Sequence, residues 1–209
     1  MNLGFRLAMA VDVESQKPAD VHVDEYEVNG VTFRMVEVEG GVYERLLYKK
    51  YEVESFTIGE TEVTEELWLA VMGKPLKASW TGTADMPVKG MKYKECLTFI
   101  KKLNKLTGKT FSLPDNLQWE YAASGGKYSR GCCYSGTCLP DKVFKSGKVR
   151  TSIPNELGIY DMSGNVGEFI SEISYSKEPY YKGTGAIPER ESHGKKSSVA
   201  VGFRLCLVK

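Results

Sequence analysis

Residues 31–38 show the clearest pattern in the first half of the chain, an alternation of apolar and polar side chains that leads to a pair of glycines. Such an alternation is typical of a half-buried strand followed by a hairpin turn. A second short strand is predicted at residues 56–58. Residues 12–29 instead carry several acids and a Gln-Lys-Pro step, which favours a linker that leads into the domain.

Three short helices are predicted from cap residues and apolar spacing. Thr64 is a suitable N-cap for a helix whose first turn carries two glutamates and which ends at Gly73. A longer helix is predicted over residues 91–108. Its expected buried residues are Cys96, Ile100, Leu103 and Leu106. Asp115 and Gln118 form a capping box at the start of the third helix.

The composition fits one loop-rich α+β domain. With 209 residues and 42% hydrophobic content the chain can bury one substantial core, and it contains 21 glycines and 12 tyrosines. Lysine plus arginine, 28 residues, nearly cancels aspartate plus glutamate, 27 residues, so we expect no nucleic-acid partner. No apolar run approaches the roughly 18 residues of a membrane span, so membrane insertion is not expected.

A run of turn-forming residues at 155–169 carries the strongest candidate chemistry. It reads NELGIYDMSGNVGEF and places two acids, Asp161 and Glu168, around Gly164. Calcium takes carboxylate and carbonyl oxygens as ligands, and glycine lets backbone carbonyls turn inward. The alternative is a tight surface turn in which both acids accept hydrogen bonds from backbone N–H groups.

Four sequence blocks follow one another in the order of a known family. They read FTIGETEVTEELWLAVMG, LPDNLQWEYAASGG, GIYDMSGNVGEF and VGFRL. Together they resemble the formylglycine-generating enzyme, or sulfatase-modifying factor, domain family, from about residue 31 to the last residue. The resemblance implies an α+β, C-type-lectin-like fold, rich in loops, with short helices around small antiparallel sheets.

The resemblance also implies a calcium site. The family's ligand motif carries over to the Asp161 side chain, the Gly164 and Val166 carbonyls and the Glu168 side chain. Calcium is therefore the expected cofactor. The second calcium site of the family has no convincing match in this chain.

The cysteines that catalyse the family's reaction have no counterpart here. In the family, two cysteines near the C-terminus bind copper and oxidise a substrate cysteine to formylglycine. The corresponding residues 170–201 contain no cysteine and no RGGS segment, and Gly167 replaces a tryptophan of the family motif. We therefore expect neither copper nor oxidase activity. The alternative is an oxidase that works through displaced cysteines such as Cys132 and Cys138.

The pairing of the five cysteines stays open. Cys132, Cys133 and Cys138 lack the paired spacing of a zinc site, so a local disulfide and free thiols fit equally well. Cys96 lies on the apolar face of a predicted helix and Cys206 on the closing strand, which favours two buried thiols. The family sometimes bridges that helix to that strand, which leaves a disulfide between Cys96 and Cys206 as the alternative.

Arg204, in the closing VGFRL block, is predicted to be a buried structural cation on a central strand. A buried guanidinium requires an acid or several carbonyls beside it, because an unpaired buried charge is strongly destabilising. Glu120 and Glu62 are the expected partners.

The segment that replaces the catalytic region is rich in tyrosine and charge. The residues concerned are Tyr175, Lys177, Glu178, Tyr180, Tyr181, Arg190 and His193. Tyrosines among mixed charges form adaptable binding surfaces, but they also occur in ordinary solvated loops. Both interpretations stay open.

These observations predict a non-catalytic domain that binds or displays a protein or carbohydrate ligand. We expect residues 1–29 to be a tail or linker and residues 30–209 to be the domain. Because the GFRL string at 4–7 recurs at 202–205, a structural repeat of a longer surface protein is a further alternative. We expect no signal peptide at the start of this sequence, because the apolar stretch there is short and contains an arginine. We also expect a bacterial protein outside the cytoplasm.

Overall fold

The computed structural model describes residues 21–45, 49–76, 79–129, 146–175, 177–183, 191–192 and 201–208. Some sequence predictions fall outside these ranges. They concern the GFRL string at 4–7, the cysteines Cys132, Cys133 and Cys138, and the candidate binding residues Arg190 and His193.

The described fold consists of short strands and three α-helices. The strands are β1 (Val23–Val28), β2 (Val31–Val38), β3 (Gly41–Arg45), β4 (Lys49–Val53), β5 (Phe56–Gly59), β6 (Phe111–Ser112), β7 (Gly167–Ile173), β8 (Pro179–Lys182), β9 (Glu191–Ser192), β10 (Val201–Phe203) and β11 (Cys206–Val208). The helices are α1 (Glu65–Met72), α2 (Tyr93–Thr107) and α3 (Asn116–Ala123), and a 3-10 turn (Gly126–Tyr128) follows α3.

The largest sheet is antiparallel and has the strand order β1-β2-β5-β11-β6. β1 pairs with β2 along its whole length. β1 therefore belongs to the domain, and the predicted boundary at residue 29 lies too late in the chain. Glu25 and Glu27 are exposed on β1 while Val28 is buried, so the acids that suggested a linker belong to the solvent face of an edge strand.

The second sheet has the order β10-β7-β8-β9, and β3 pairs with β4 in a separate hairpin. β10 runs parallel to β7, with Gly202 opposite Glu168, whereas β7 and β8 are antiparallel. A side chain at position 202 has no room, because a Cβ there would lie 2.6 Å from the Val88 carbonyl oxygen. The predicted α+β architecture is confirmed, with one parallel pair in its second sheet.

The helix caps agree with the sequence predictions. The Leu67 N–H donates to Thr64 Oγ1 at 3.2 Å, and Gly73 ends α1 in the left-handed conformation with φ 73°. Asp115 accepts from the Gln118 N–H at 2.7 Å, and the Gln118 side chain accepts from the Asp115 N–H at 2.9 Å. Local chemistry therefore sets both helix starts.

Helix α2 buries a slightly different face from the one predicted. Cys96, Ile100 and Leu103 are buried as expected, and Phe99 joins them. Leu106 is 51% exposed, so its predicted burial is wrong. In the last turn of α2 the contact with the sheet is polar, because Asn104 exchanges two hydrogen bonds with the backbone of β6.

The largest sheet is covered on both faces. Met35 and Val36 are neighbours on β2 and therefore point to opposite faces, yet both are completely buried. Met35 belongs to the cluster under α1 and α2, where Trp68 stacks on Phe99 with ring centroids 5.4 Å apart. Val36 belongs to the cluster under α3, which includes Trp119.

The two described cysteines are free thiols in different parts of this core. Cys96 lies in the cluster under α1 and α2, and Cys206 lies in the cluster under α3. The alternative of a disulfide between them is therefore wrong for this structure. Burial raises the pKa of the Cys96 thiol well above its usual value and raises that of Cys206 to about 12.

Arg204 occupies the short joint between β10 in the second sheet and β11 in the largest sheet. Its completely buried guanidinium donates from Nε and Nη2 to the two carboxylate oxygens of Glu168, at 2.6 Å each. Nη1 donates to the Gly59 carbonyl at 3.0 Å, and Nη2 donates to the Tyr160 carbonyl at 2.9 Å. One side chain therefore connects both sheets and the loop before β7.

The predicted burial and acid pairing of Arg204 are confirmed, but its partner is different from the one expected. Glu120 pairs with Lys182, and neither carboxyl oxygen of Glu62 has a hydrogen-bond partner. Glu168 takes the role because the parallel register sets it opposite Gly202, two residues before Arg204. The predicted continuous strand over 202–205 is interrupted, since Arg204 lies between two strands of different sheets.

We expect Arg204→Met to lower the free energy of unfolding by about 3–5 kcal/mol, because Glu168 is left as an unpaired buried carboxylate. Arg34→Met is a matched control, since the Arg34–Glu25 pair is 45% and 57% exposed. This control should lose at most about 1 kcal/mol. Urea unfolding followed by circular dichroism measures both. Equal stability of the two variants would contradict a structural role for Arg204.

Candidate functional site

The glycine-rich loop before β7 is anchored to α3 by Asn155. Its buried side-chain amide donates to the Ala122 carbonyl at 2.7 Å, and its side-chain oxygen accepts from the N–H groups of Leu157 and Ile159 at 3.1 Å each. Sequence reasoning assigned no role to Asn155. An asparagine two residues before a Leu-Gly step is a turn signal that indicates such bonds.

Asp161 is held inside this loop by two hydrogen bonds to its carboxylate. Oδ1 accepts from the Ser152 hydroxyl at 2.6 Å and Oδ2 accepts from the Arg150 N–H at 2.8 Å. The residue is buried and has a left-handed backbone with φ 59°. Asp161 therefore turns its carboxylate toward residues 150–152 rather than toward solvent.

Glu168, the second predicted acid, is more heavily engaged. Besides its two bonds from Arg204, Oε2 accepts from the indole N–H of Trp119 at 2.7 Å. Trp119 was part of the family motif, but sequence reasoning gave it no role. A buried indole N–H usually has a hydrogen-bond acceptor, so this tryptophan indicates that an acceptor lies nearby.

The four predicted calcium ligands therefore lie in a hydrogen-bonded loop beside the guanidinium of Arg204. Each carboxylate oxygen can accept about two hydrogen bonds. By that measure Asp161 keeps capacity on both oxygens and Glu168 on Oε1, and these hard oxygens suit calcium. Two backbone carbonyls, at Met162 and Val166, lie beside Gly183, whose added Cβ would meet them at 3.6 and 3.5 Å.

Arg204 opposes a calcium ion at this loop, because its positive charge already balances Glu168. In the described ranges, no group of three or more His, Cys, Asp or Glu side chains is placed to hold a metal ion. The calcium site stays a prediction, with Asp161, Gly164, Val166 and Glu168 as its ligands.

A cleft of about 350 Å³ lies beside this network and includes Gly59, Arg150 and Leu205 in its lining. Its walls come from β2, from the segment between β5 and α1, from residues 84–85 and from residues 149–150. The basic residues at its rim have acidic partners. Arg34 Nε lies 2.8 Å from Glu25 Oε1, and Arg150 pairs with Glu60.

Glu62 lines this cleft and is only 1% exposed. Within the described ranges, neither of its carboxyl oxygens has a hydrogen-bond partner in another residue. Burial raises the pKa of Glu62 well above its usual value, the negative charges of Glu168 and Asp161 raise it further, and Arg204 lowers it. Sequence reasoning named Glu62 only as a partner for Arg204.

In the described part of the predicted binding segment, the tip of the β7–β8 hairpin presents two exposed apolar side chains. Ile173 is 57% exposed and Tyr175 is fully exposed. The turn between the strands is closed by hydrogen bonds from the Lys177 N–H to the Ser174 carbonyl at 2.9 Å and from the Ser174 N–H to the Glu178 carbonyl at 2.8 Å. Tyr175 is therefore exposed at a turn whose ends are joined by backbone hydrogen bonds.

The other tyrosines of that segment divide between surface and core. Tyr180 is partly buried, and Tyr181 is buried in the core under α1 and α2. The inclusion of Tyr181 in a binding surface is therefore wrong, because it lies opposite the buried Phe169 and shares its face. No helix in the described part of the chain is long and apolar enough to cross a bilayer.

Comparison with known proteins gives one relative and several solved structures. The chain is 29% identical to the chaperone protein LppX of Paenibacillus barcinonensis, in a match that covers 66% of this chain and 71% of that protein. Variable protein 1 of Treponema denticola has a TM-score of 0.69 at 22% identity, covering 91% of this chain and 99% of that chain.

Two further solved structures share the fold. CarF has a TM-score of 0.70 at 20% identity and covers 85% of this chain and 98% of its own. PvdO from Pseudomonas aeruginosa has a TM-score of 0.58 at 18% identity and covers 84% of this chain and 94% of its own. These likenesses support the formylglycine-generating-enzyme-like, C-type-lectin-like fold that the sequence blocks predicted.

The family model of the sulfatase-modifying factor enzyme 1-like domain matches residues 22–202. These residues include β1 and nearly all of the remaining elements. The resemblance predicted from the sequence blocks is thereby confirmed, and the chain belongs to this domain family.

Proposed function

We propose that this domain is a non-catalytic binding module that engages another polypeptide through the tip of its β7–β8 hairpin. The observation that carries the proposal is the fully exposed Tyr175 beside the exposed Ile173, on a turn closed by backbone hydrogen bonds. A turn closed by backbone hydrogen bonds has less backbone entropy to lose when it binds a partner. Tyrosine also supplies a large contact area with few rotatable bonds.

Two considerations favour a polypeptide over a carbohydrate. One 29% identical relative is named a chaperone protein, and chaperones act on other polypeptides. The exposed Ile173 offers an aliphatic contact, which a peptide side chain can complement by removing apolar surface from water. Carbohydrate binding is the competing outcome of the test below.

The distribution of thiols supports a non-catalytic role. Residues 170–201, which correspond to the catalytic region of the family, contain no cysteine. Cys96 and Cys206 are buried, and burial raises the pKa of both thiols. Copper(I) is bound by thiolates, so neither of these two residues is suited to hold it.

Calcium stabilisation of the loop before β7 forms part of the proposal. Asp161 and Glu168 would supply carboxylate oxygens, and Gly164 and Val166 would supply carbonyls. When bound, the ion would add positive charge to a region in which Asp161, Glu168 and Glu62 outnumber Arg204. The support is the unused acceptor capacity of the two predicted carboxylates.

The hairpin tip is tested with arrays of synthetic peptides and of glycans. We expect the wild-type protein to bind a subset of peptides, and Tyr175→Ala and Ile173→Ser each to weaken that binding about tenfold, as for an interface anchor. Val42→Ser is the matched control, because Val42 is an equally exposed aliphatic residue on the separate β3–β4 hairpin. Glycan binding without peptide binding, or an equal loss in the control, would contradict the proposal.

A second test concerns the family's reaction. A cysteine-containing sulfatase peptide, incubated with the protein, copper and a reductant, should stay unmodified in mass spectrometry. The reason is the absence of cysteine from residues 170–201. Conversion to the aldehyde that is lost when Cys132, Cys133 or Cys138 is replaced by serine would show an oxidase with displaced cysteines.

Calcium is tested by thermal unfolding with calcium or with a chelator. If the loop binds the ion, calcium at a hundred times its Kd should add about 2.7 kcal/mol and raise the Tm by about 5–10 °C. Asp161→Asn should reduce this shift, whereas Asp85→Asn, on an exposed acid paired with Lys148, should keep it. An unchanged wild-type Tm from micromolar to millimolar calcium would remove calcium from the proposal.

A further inference from the structure

We propose that the cleft beside Glu62 binds a guanidinium group, with the Glu62 carboxylate as its bidentate partner. The cleft is formed by β2, the β5–α1 segment and residues 84–85 and 149–150. It lies apart from the β7–β8 hairpin tip and does not depend on the binding role proposed for that tip.

The first argument is the missing partner of Glu62. Three other acids have at least one hydrogen bond to each carboxyl oxygen: Glu168 from Arg204 and Trp119, Asp161 from Ser152 and Arg150, and Glu65 from Thr81 and Gly82. Among the described residues, no other residue bonds to either carboxyl oxygen of Glu62. Buried polar groups are normally bonded, so an unbonded carboxyl that lines a cleft indicates a group supplied from outside.

The second argument is geometric. A carboxylate with two unbonded oxygens matches the planar fork of a guanidinium, which donates two parallel N–H bonds. The oxygens of Glu62 are buried, so the side chain must turn toward the cleft to meet a ligand. This rotation breaks no hydrogen bond to another described residue.

The third argument is charge balance around the cleft. Arg204 is committed to Glu168, Arg34 to Glu25 and Arg150 to Glu60. Lys148 pairs with Asp85, and Glu66 of α1 is an exposed acid on the cleft wall. The described cations around the cleft therefore have partners already, and an ionised Glu62 has none of its own.

The size and lining of the cleft fit a guanidinium on an aliphatic stem. Its volume of about 350 Å³ is near the lower end of the range for small-molecule sites. Apolar walls can pack against the stem while the charged end meets the acid. The apolar residues that line the cleft are Phe33, Met35, Val63, Leu67, Val149 and Leu205.

Ligand binding and proton release are linked at this site. Burial, Glu168 and Asp161 raise the pKa of Glu62 while Arg204 lowers it, so in the empty cleft this carboxyl keeps its proton to a higher pH than an exposed glutamate does. A guanidinium pairs with the ionised form, so binding to the protonated form is accompanied by release of a proton. Affinity should rise as pH rises, by at most about tenfold per pH unit below the pKa of Glu62, and level off above it.

The test is titration of the whole chain with ethylguanidinium and with N-ethylurea, followed by NMR at several pH values. The two probes have nearly the same shape, and only the first is charged. We expect wild-type protein to bind ethylguanidinium at least about tenfold more tightly than the urea, as one charge-assisted bidentate pair provides. This preference should increase with pH.

Glu62→Gln should abolish both the preference and its pH dependence, because the amide resembles the protonated carboxyl in shape and carries no charge. Glu54→Gln is the control that should bind as the wild type does, because Glu54 is an exposed acid that does not line the cleft. Equal affinity of wild-type protein for the two probes, or unchanged binding by Glu62→Gln, would overturn the proposal. The comparison of the two probes on wild-type protein requires no variant to fold.

The source of the guanidinium is distinguished by a second pair of probes. These are a short peptide with one internal arginine and the same peptide with citrulline at that position. Tighter binding of the arginine peptide than of ethylguanidinium would identify a polypeptide side chain as the natural ligand. Tighter binding of ethylguanidinium would identify a free small cation.

Discussion

The buried ion pair between Arg204 and Glu168 is the interaction on which the other features of this fold depend. Arg204 lies at the joint where the chain leaves the second sheet for the largest one. Its guanidinium bonds to β7 through Glu168, to the end of β5 through the Gly59 carbonyl and to the loop before β7 through Tyr160. Because Trp119 donates to the same carboxylate, α3 is fixed by this pair as well.

The pair also determines the electrostatics of its surroundings. The Arg204 guanidinium bonds to both carboxylate oxygens of Glu168, so Glu62 and Asp161 need other hydrogen-bond partners. Asp161 is bonded by a hydroxyl and a backbone N–H, whereas Glu62 has no such partner. A second buried pair, Lys182 with Glu120, adjoins this group, because Lys182 lies opposite Glu168 on β8 and its Nζ is 5.7 Å from the ring centroid of Trp119. Beside Arg204, the three carboxyl groups of Glu168, Asp161 and Glu62 therefore share one guanidinium.

Sequence predicted those features that depend on neighbouring residues. The caps at Thr64 and Asp115, the alternation of β2 and the glycine that ends α1 are all local, and the four ordered blocks indicated the fold. The partner of Arg204 was missed because it depends on the register between β10 and β7, which are far apart in sequence. β1 was missed because its solvent-facing acids resemble those of a polar linker.

For the candidate site, sequence identified the loop acids but not their surroundings. It could not separate the buried Tyr181 from the exposed Tyr175, because that difference follows from the pairing of β7 with β8. It also could not reveal the cleft at Glu62, whose walls come from four distant segments. Such walls exist only after the sheets and the Arg204 joint have formed.

The position of β11 has a consequence for how this domain is made. β11 comes after all the other described strands in sequence, yet it lies between β5 and β6 in the middle of the largest sheet. Until it inserts, β5 and β6 present unpaired edges to solvent, and such edges associate readily with other chains. Contacts between residues so distant in sequence also form slowly. During synthesis on the ribosome, the domain must therefore wait for almost its entire length to emerge before its central sheet can close, and in that interval it is most exposed to aggregation.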